Sequence, residues 1–317
     1  MEVIGTDIAL AAQFLTQNKL VAIPTETVYG LAANALNEDA VLSIFNAKQR
    51  PFFDPLIIHV ATIEQLSNYA TLNDKRLQKL ATFFWPGPLT LLLPKKNNIP
   101  SIVTSGLNQV AVRIPNHPLT VLLLNKLNFP LAAPSANPFG YISPTNAQHV
   151  SKQLGNKIDY ILDGGNCTIG LESTIVGIEN DNVCVYRLGG LAVEAIENCI
   201  GKVELKLNNS SNPKVPGQLK SHYAPKKPLF VGDVNELINQ HLTKKISIIY
   251  FGDKNFEAKN ATVYNLSATK SINEAAINLF TFLRLADEDD SDVVLCQNVP
   301  NVGLGMAIND RLKRASG

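Results

Sequence analysis

Two threonines flank a carboxylate in Pro24-Thr25-Glu26-Thr27-Val28-Tyr29-Gly30-Leu31, directly after an apolar run at 20–23. Hydroxyls and a carboxylate at such a strand end can bind a polar ligand, and the same residues can equally cap the next helix. Lys48-Gln49-Arg50-Pro51 follows, ahead of Asp54-Pro55-Leu56-Ile57-Ile58-His59. If that segment is extended, Lys48 and Arg50 point the same way and suit phosphate oxygens; at a helix end, the same cations complement the dipole. His59 ends an apolar run, where a ring satisfied in the core or at an edge is the usual arrangement. Arg113, within Val110-Ala111-Val112-Arg113-Ile114-Pro115, must find an anionic partner if it faces the core, and a ligand carboxylate would serve. Hydroxyls and turn formers gather at Pro134-Ser135-Ala136-Asn137 and Ser143-Pro144-Thr145, segments that make turns and caps or offer N–H groups to a phosphate or sugar. The series closes with Asp163-Gly164-Gly165, Glu172-Ser173-Thr174-Ile175-Val176 and Tyr186-Arg187-Leu188-Gly189. Arg187 ends a strand-like run as Arg113 does, and a second cation there suits a triphosphate. A phosphate-binding P-loop, a His-Glu-x-x-His pair and a Gly-x-Ser-x-Gly elbow are missing, and Gly303-x-Gly305 reads as a helix start rather than a dinucleotide loop.

Residues so far apart need a frame that brings strand ends together. Apolar runs at 20–23, 56–60, 89–93, 110–114 and 131–133 read as strands. Helical patterns at 6–18, with Thr6 as N-cap, and at 38–48, 73–84, 118–127 and 146–154 alternate with them, which indicates a layered α/β domain. Runs 174–178 and 183–187, joined by 179–182, read as a hairpin, and a helix follows at 193–200. From 208 to 227 apolar residues nearly vanish and Asn, Ser and Pro take over, which is linker chemistry. Beyond it, strands at 229–231, 246–250 and 293–295 alternate with helices at 233–240, 272–285 and 304–314. The expected division is a catalytic domain at 1–205, a linker at 206–227 and a small α/β domain at 228–317. Bulk numbers agree with two ordinary globular domains: 317 residues, 45% hydrophobic and 17% charged. With 28 Lys and Arg against 27 Asp and Glu, the formal charge is +1, so any anion site must be local. Cys167, Cys184, Cys199 and Cys296 are widely spaced, which argues against a disulfide framework or zinc site and for a reducing cytosol. The first twenty residues lack a signal-peptide pattern, and no apolar stretch approaches the ~20 residues of a membrane span.

Taken in order, these segments resemble the threonylcarbamoyl-AMP synthase family, whose catalytic part is the YrdC domain. The resemblance covers 6–190 through 24–31, 48–59, Trp85-Pro86-Gly87-Pro88-Leu89-Thr90, 111–115, 133–137 and 172–176. Pro216-Gly217-Gln218-Leu219-Lys220-Ser221-His222-Tyr223-Ala224-Pro225 is similar to the linker of the family's two-domain members. The resemblance implies an α/β fold: a twisted open sheet of YrdC type around a large, positively lined cavity, plus a smaller C-terminal Rossmann-like domain. It also implies the reaction of ATP, L-threonine and bicarbonate to threonylcarbamoyl-AMP, diphosphate and water, the product passing to a tRNA threonylcarbamoyl transferase complex. By carry-over, Thr27, His59, Arg113 and Ser173 contact threonine, and Lys48, Arg50, Ser135, Asn137, Ser143 and Arg187 contact the nucleotide. Mg2+ would arrive with ATP, without a dedicated protein cage. Gly217, His222 and Tyr223 would form a lid over the cavity mouth. Asp54 stands where the family commonly has Asn, and Val215 and Gln218 flank Pro216-Gly217 where it usually reads Ser-Pro-Gly-Met. Two other readings share the YrdC fold: an RNA-binding module, which the near-zero net charge disfavours, and a carbamoyl-transfer domain, which the linker disfavours. Weak RNA binding is conceivable, and no membrane partner is expected.

Overall fold

The computed structural model describes residues 4–207, 215–217, 222–258 and 261–317. Of the expected linker, 208–214 and 218–221, Gln218 included, lie outside the described residues. Among the described residues, eleven strands form one sheet: β1 (Ile4–Gly5), β2 (Val21–Ile23), β3 (Gly30–Asn34), β4 (Ile57–His59), β5 (Leu89–Pro94), β6 (Gln109–Arg113), β7 (Leu131–Ala132), β8 (Tyr160–Leu162), β9 (Thr174–Glu179), β10 (Asn182–Arg187) and β11 (Glu204–Leu205). Their order is β1-β8-β2-β3-β7-β4-β6-β5-β9-β10-β11, with parallel and antiparallel neighbours mixed. Around it lie α1 (Ile8–Thr16), α2 (Glu38–Lys48), α3 (Ile63–Leu66), α4 (Lys75–Phe84), α5 (Ser101–Thr104), α6 (Pro118–Asn125), α7 (Ala147–Leu154) and α8 (Val193–Ile200). A second sheet, β12 (Leu229–Val231), β13 (Ile246–Tyr250), β14 (Thr262–Asn265) and β15 (Val293–Cys296), is wholly parallel in the order β12-β15-β13-β14. It carries α9 (Val234–Gln240), α10 (Ile272–Glu288) and α11 (Gly305–Ala315), a Rossmann-like arrangement.

Local chemistry fixes several boundaries. The first helix is capped by Asp7 rather than Thr6: the Asp7 carboxylate accepts from the N–H groups of Ala9 and Leu10, so the helix starts at Ile8. Asp74 caps α4 in the same way and shortens the expected 73–84 helix to Lys75–Phe84. The hairpin turns through Asn180 and Asp181, both at positive φ, which suits a tight antiparallel turn. β3, unmarked in the sequence because Gly30-Leu31-Ala32-Ala33-Asn34 has no β-branched residue, pairs with β2 and β7 in the middle of the sheet. One apolar core runs continuously beneath both sheets, and a smaller one lies between α1, α6 and the β2–β8 region. Among the described residues no helix is long and apolar enough to cross a membrane.

Candidate active site

β4 and β6 run parallel with His59 opposite Arg113, while β5 lies antiparallel to β6 with Thr90 opposite Arg113. β9 runs parallel to β5 and β10 returns beside it. The C-terminal ends of β4, β6 and β10 therefore meet the N-terminal ends of β5 and β9. That end of the sheet gathers His59, Arg113 and Arg187 with Ser173, the residue before β9. The register shifts between Val185 and Arg187, a bulge of the kind that re-aims a side chain. Arg187 Nε and Nη2 donate to the Ser173 carbonyl at 3.1 and 2.9 Å, and Nη2 also reaches Ser173 Oγ. Ser173 Oγ lies 2.7 Å from Thr90 Oγ1.

Lys48 and Arg50 do not sit on an extended segment. Lys48 is the last residue of α2, and Gln49 ends the helix in the left-handed region. That cap swings the two cations to different tasks. Lys48 Nζ donates to the carbonyls of Ser135 and Asn137, holding the 134–137 loop against the cleft. Arg50 donates to the carbonyls of Asp54 and Pro55 and pairs with the Asp54 carboxylate at 2.8 Å. Asp54, which stands where the family commonly has Asn, is fully buried and serves as the counter-ion of Arg50. Arg113 is likewise engaged: Nη2 pairs with Glu26 at 2.8 Å, Nη1 donates to Thr27 Oγ1 at 2.7 Å and Nε to the Gly87 carbonyl.

His59, Arg113, Ser173, Arg50, Ser135, Arg187, Gly217, His222 and Tyr223 all line one cavity. Thr27, Lys48, Asn137 and Ser143 stand one hydrogen bond behind it, through Arg113, the Ser135 loop and Glu172. Thr25, Ile57, Glu172 and Pro216 also line it, and carry no distinguishing signal in the sequence beyond adjacency to the residues expected there. Pro216, Gly217, His222 and Tyr223, a strap from the expected linker, belong to its lining. Arg187 Nη1 donates to the Pro216 carbonyl at 3.3 Å, and the His222 ring meets Tyr223 and Phe139 edge-on. With this strap in place the cavity measures about 50 Å³, against the ~300–1,000 Å³ typical of small-molecule pockets. The cleft is thus present and narrow, with residues of the expected linker in its lining.

Burial sets the protonation states. It lowers Lys48 well below the ordinary lysine value, with Arg50 adding to the effect. It lowers His59 to about 3, with Arg113 second, so that ring is neutral. His222 is also held well down, by burial and then by Arg50 and Lys48. Tyr223 is pushed up to about 12 by burial and stays a phenol. Among the described residues nothing hydrogen-bonds His59 Nδ1, His222 Nδ1 or Tyr223 Oη, three buried polar atoms around one cavity. Buried polar atoms without protein partners mark a place built for another molecule's donors and acceptors. Arg50, Arg113, Arg187 and Arg311 outnumber Glu26, Asp54 and Glu172 around the cleft, an excess suited to a polyanion.

Residues 13–189 match the family model described as Telomere recombination, and residues 191–317 that described as Threonylcarbamoyl-AMP synthase, C-terminal domain. Fold and cleft together thus define a two-domain α/β enzyme of the YrdC class. The threonylcarbamoyl-AMP synthase of Pyrococcus abyssi is 42% identical over 98% of this chain and 94% of its own, and that of Bacillus subtilis 39% identical over 98% and 93%. The crystal structure of P. abyssi Sua5 complexed with L-threonine superposes with a TM-score of 0.92 at 41% identity, covering 99% of this chain and 96% of the other. The chain belongs to the threonylcarbamoyl-AMP synthase family.

Proposed function

We propose that the chain joins L-threonine, bicarbonate and ATP into threonylcarbamoyl-adenylate, releasing diphosphate and water, for threonylcarbamoyladenosine modification of tRNA. The observation that carries the reading is the convergence of buried Arg113 and Arg187, from strands far apart in the chain, on one hydroxyl-lined cleft. Threonine's amine and bicarbonate give a carbamate and water. A carbamate oxygen then attacks the α-phosphorus of ATP and diphosphate leaves. No protein nucleophile is required, so positioning and charge supply the rate.

Arg113 turns its remaining N–H groups toward the threonine carboxylate, its orientation fixed by Glu26, Thr27 and Gly87. Neutral His59, with Nδ1 free of protein partners among the described residues, reads the amine or hydroxyl, while Thr27 acts from behind by orienting Arg113. Ser173 stands between the two halves, bonded to Arg187. Arg50 and Arg187 neutralise the triphosphate, while Lys48, Asn137 and Ser143 shape the walls that Ser135 and Glu172 present. The carboxylates of the cleft, Glu26, Asp54 and Glu172, are each paired with an arginine and so make a poor metal cage. Mg2+ would therefore be held by phosphate oxygens, and no step here is assigned to it. Functionally the chain divides into a catalytic unit at 1–205, a strap at 206–227 and a supporting unit at 228–317. The work belongs in the cytoplasm, with a separate transferase complex receiving the product.

Diphosphate release measured with each substrate omitted in turn, with mass detection of the adenylate, tests the reading. Release that requires all three substrates is expected. Release indifferent to threonine would replace it with nucleotide hydrolysis.

A further inference from the structure

α11 belongs to the second sheet, yet one of its side chains bonds a residue that lines the first-domain cleft. Arg311 is fully buried. Its Nε donates to Glu172 Oε2 at 2.9 Å and its Nη2 to the Leu188 carbonyl at 2.7 Å, while its guanidinium carbon lies 4.8 Å from the centre of the Tyr223 ring. Glu172 Oε1 in turn accepts from Ser143 Oγ at 2.5 Å. Glu172 precedes Ser173 and Leu188 follows Arg187, two cleft-lining residues that bond to each other. A single guanidinium thus grips the entry to β9, the exit from β10 and the strap. Asp310 Oδ2, 2.8 Å from Nη1, fixes it from its own helix.

We infer that Arg311 is a positioning residue for ATP: it neutralises the cleft-lining Glu172, holds Ser143 through it and seats Tyr223 of the strap. The inference rests on the synthase reading above and adds to it a role for the second domain. Without Arg311, a buried carboxylate would face the incoming triphosphate, and the partner of a removed charge is penalised heavily. Arginine suits the task because its planar fork serves a carboxylate, a carbonyl and an aromatic face together, which an ammonium does not.

The test compares the full-length chain with Arg311→Met, Arg311→Lys, Glu172→Gln and the Arg311→Met/Glu172→Gln double variant. ATP affinity is read by titration calorimetry, KM and kcat by diphosphate release, and folding by melting temperature. Arg311→Met should weaken ATP binding about tenfold or more, and removing the Glu172 charge in that background should recover most of the loss. A purely structural role would not respond to the second change in this way. ATP affinity within about twofold of wild type in folded Arg311→Met, or a loss that Glu172→Gln leaves untouched, overturns the inference. Should Arg311→Met fail to fold, Arg311→Lys decides: weakening of at least about threefold supports it, and unchanged affinity overturns it. Threonine-dependent diphosphate release by the wild type is the separate control on the functional reading, so calorimetry can fail the one without the other.

Discussion

Arg113 and Arg50 each meet a buried carboxylate before they meet any ligand, Glu26 in one case and Asp54 in the other. The pairing makes two buried guanidiniums tolerable and aims them, at the expense of part of their charge. Arg113→Ala should therefore raise the threonine KM, and Arg50→Ala should lower turnover by about 10²-fold if its charge acts mainly in the transition state; steady-state kinetics that leave both parameters unchanged would refute these roles. Asp54→Asn acts in the opposite sense. It should tighten ATP binding by releasing charge on Arg50, while lowering stability by about 1–3 kcal/mol as a charge-assisted bond is weakened. His59 gives a pH dependence of definite sign. Its ring is held at about 3 in the fold against an ordinary 6.5, so the unfolded chain takes up the proton first as pH falls. The stability it contributes is whole above 6.5 and drains away between 6.5 and 3. His59→Asn should remove about 2 kcal/mol of the acid loss between pH 7 and pH 5, read as the difference between wild-type and variant melting curves. His59 and Arg113 were visible in the sequence because each is a polar interruption at the end of an apolar run, and Arg50 because it alternates with Lys48. Their partners were not, since Glu172 and Arg311 lie 139 positions apart and nothing local to either announces the other.

Elements decide what those residues can reach. The alternation of Lys48 and Arg50 suggested two cations on one face, but a left-handed cap at Gln49 intervenes, and a single residue at positive φ is invisible to a rule based on strand spacing. The bulge before Arg187 is equally silent in the sequence, although the hairpin that carries it was legible from two β-rich runs around polar turn residues. The strap was legible as linker composition and through its resemblance to the linker of the family's two-domain members. Its close approach to the cleft depends on Gly217, at φ +85°, where a Cβ would stand 2.9 Å from Tyr223 Oη and 3.0 Å from Arg187 Cδ. Gly217→Ala adds both a conformational penalty of about 1–2 kcal/mol and a collision with Tyr223 of the strap and with Arg187, which bonds the Pro216 carbonyl. The strap should then sit open and admit water to the mixed anhydride. The expected result is a lower yield of threonylcarbamoyl-adenylate per diphosphate released, measured by mass detection beside the release assay; an unchanged ratio would mean that the strap does not guard the product.

At the scale of the molecule, the second domain is built into the first rather than tethered to it. Gly170, at φ +80°, lets the first domain press against the backbone of α10, where a Cβ would come within 2.5 Å of the Ala276 carbonyl and 2.6 Å of Ile277 Cα. Nearby, Tyr141 donates to Asp287, buried Arg284 donates to the Ile142 carbonyl, and Tyr223 stacks on Phe280. The shared apolar core passes through this contact. Two units joined in this way should melt as one, so the chain is expected to show a single cooperative transition with matching calorimetric and van't Hoff enthalpies. Gly170→Val forces the contact apart from a site outside the cleft. It should lower the melting temperature by about 2–4 °C for each kcal/mol lost, and because α11 moves away with α10, ATP binding should weaken as Arg311 leaves Glu172. Two resolved transitions in the wild type, or an ATP affinity that ignores Gly170→Val despite a lowered melting temperature, would mean that the domains are coupled in neither folding nor function.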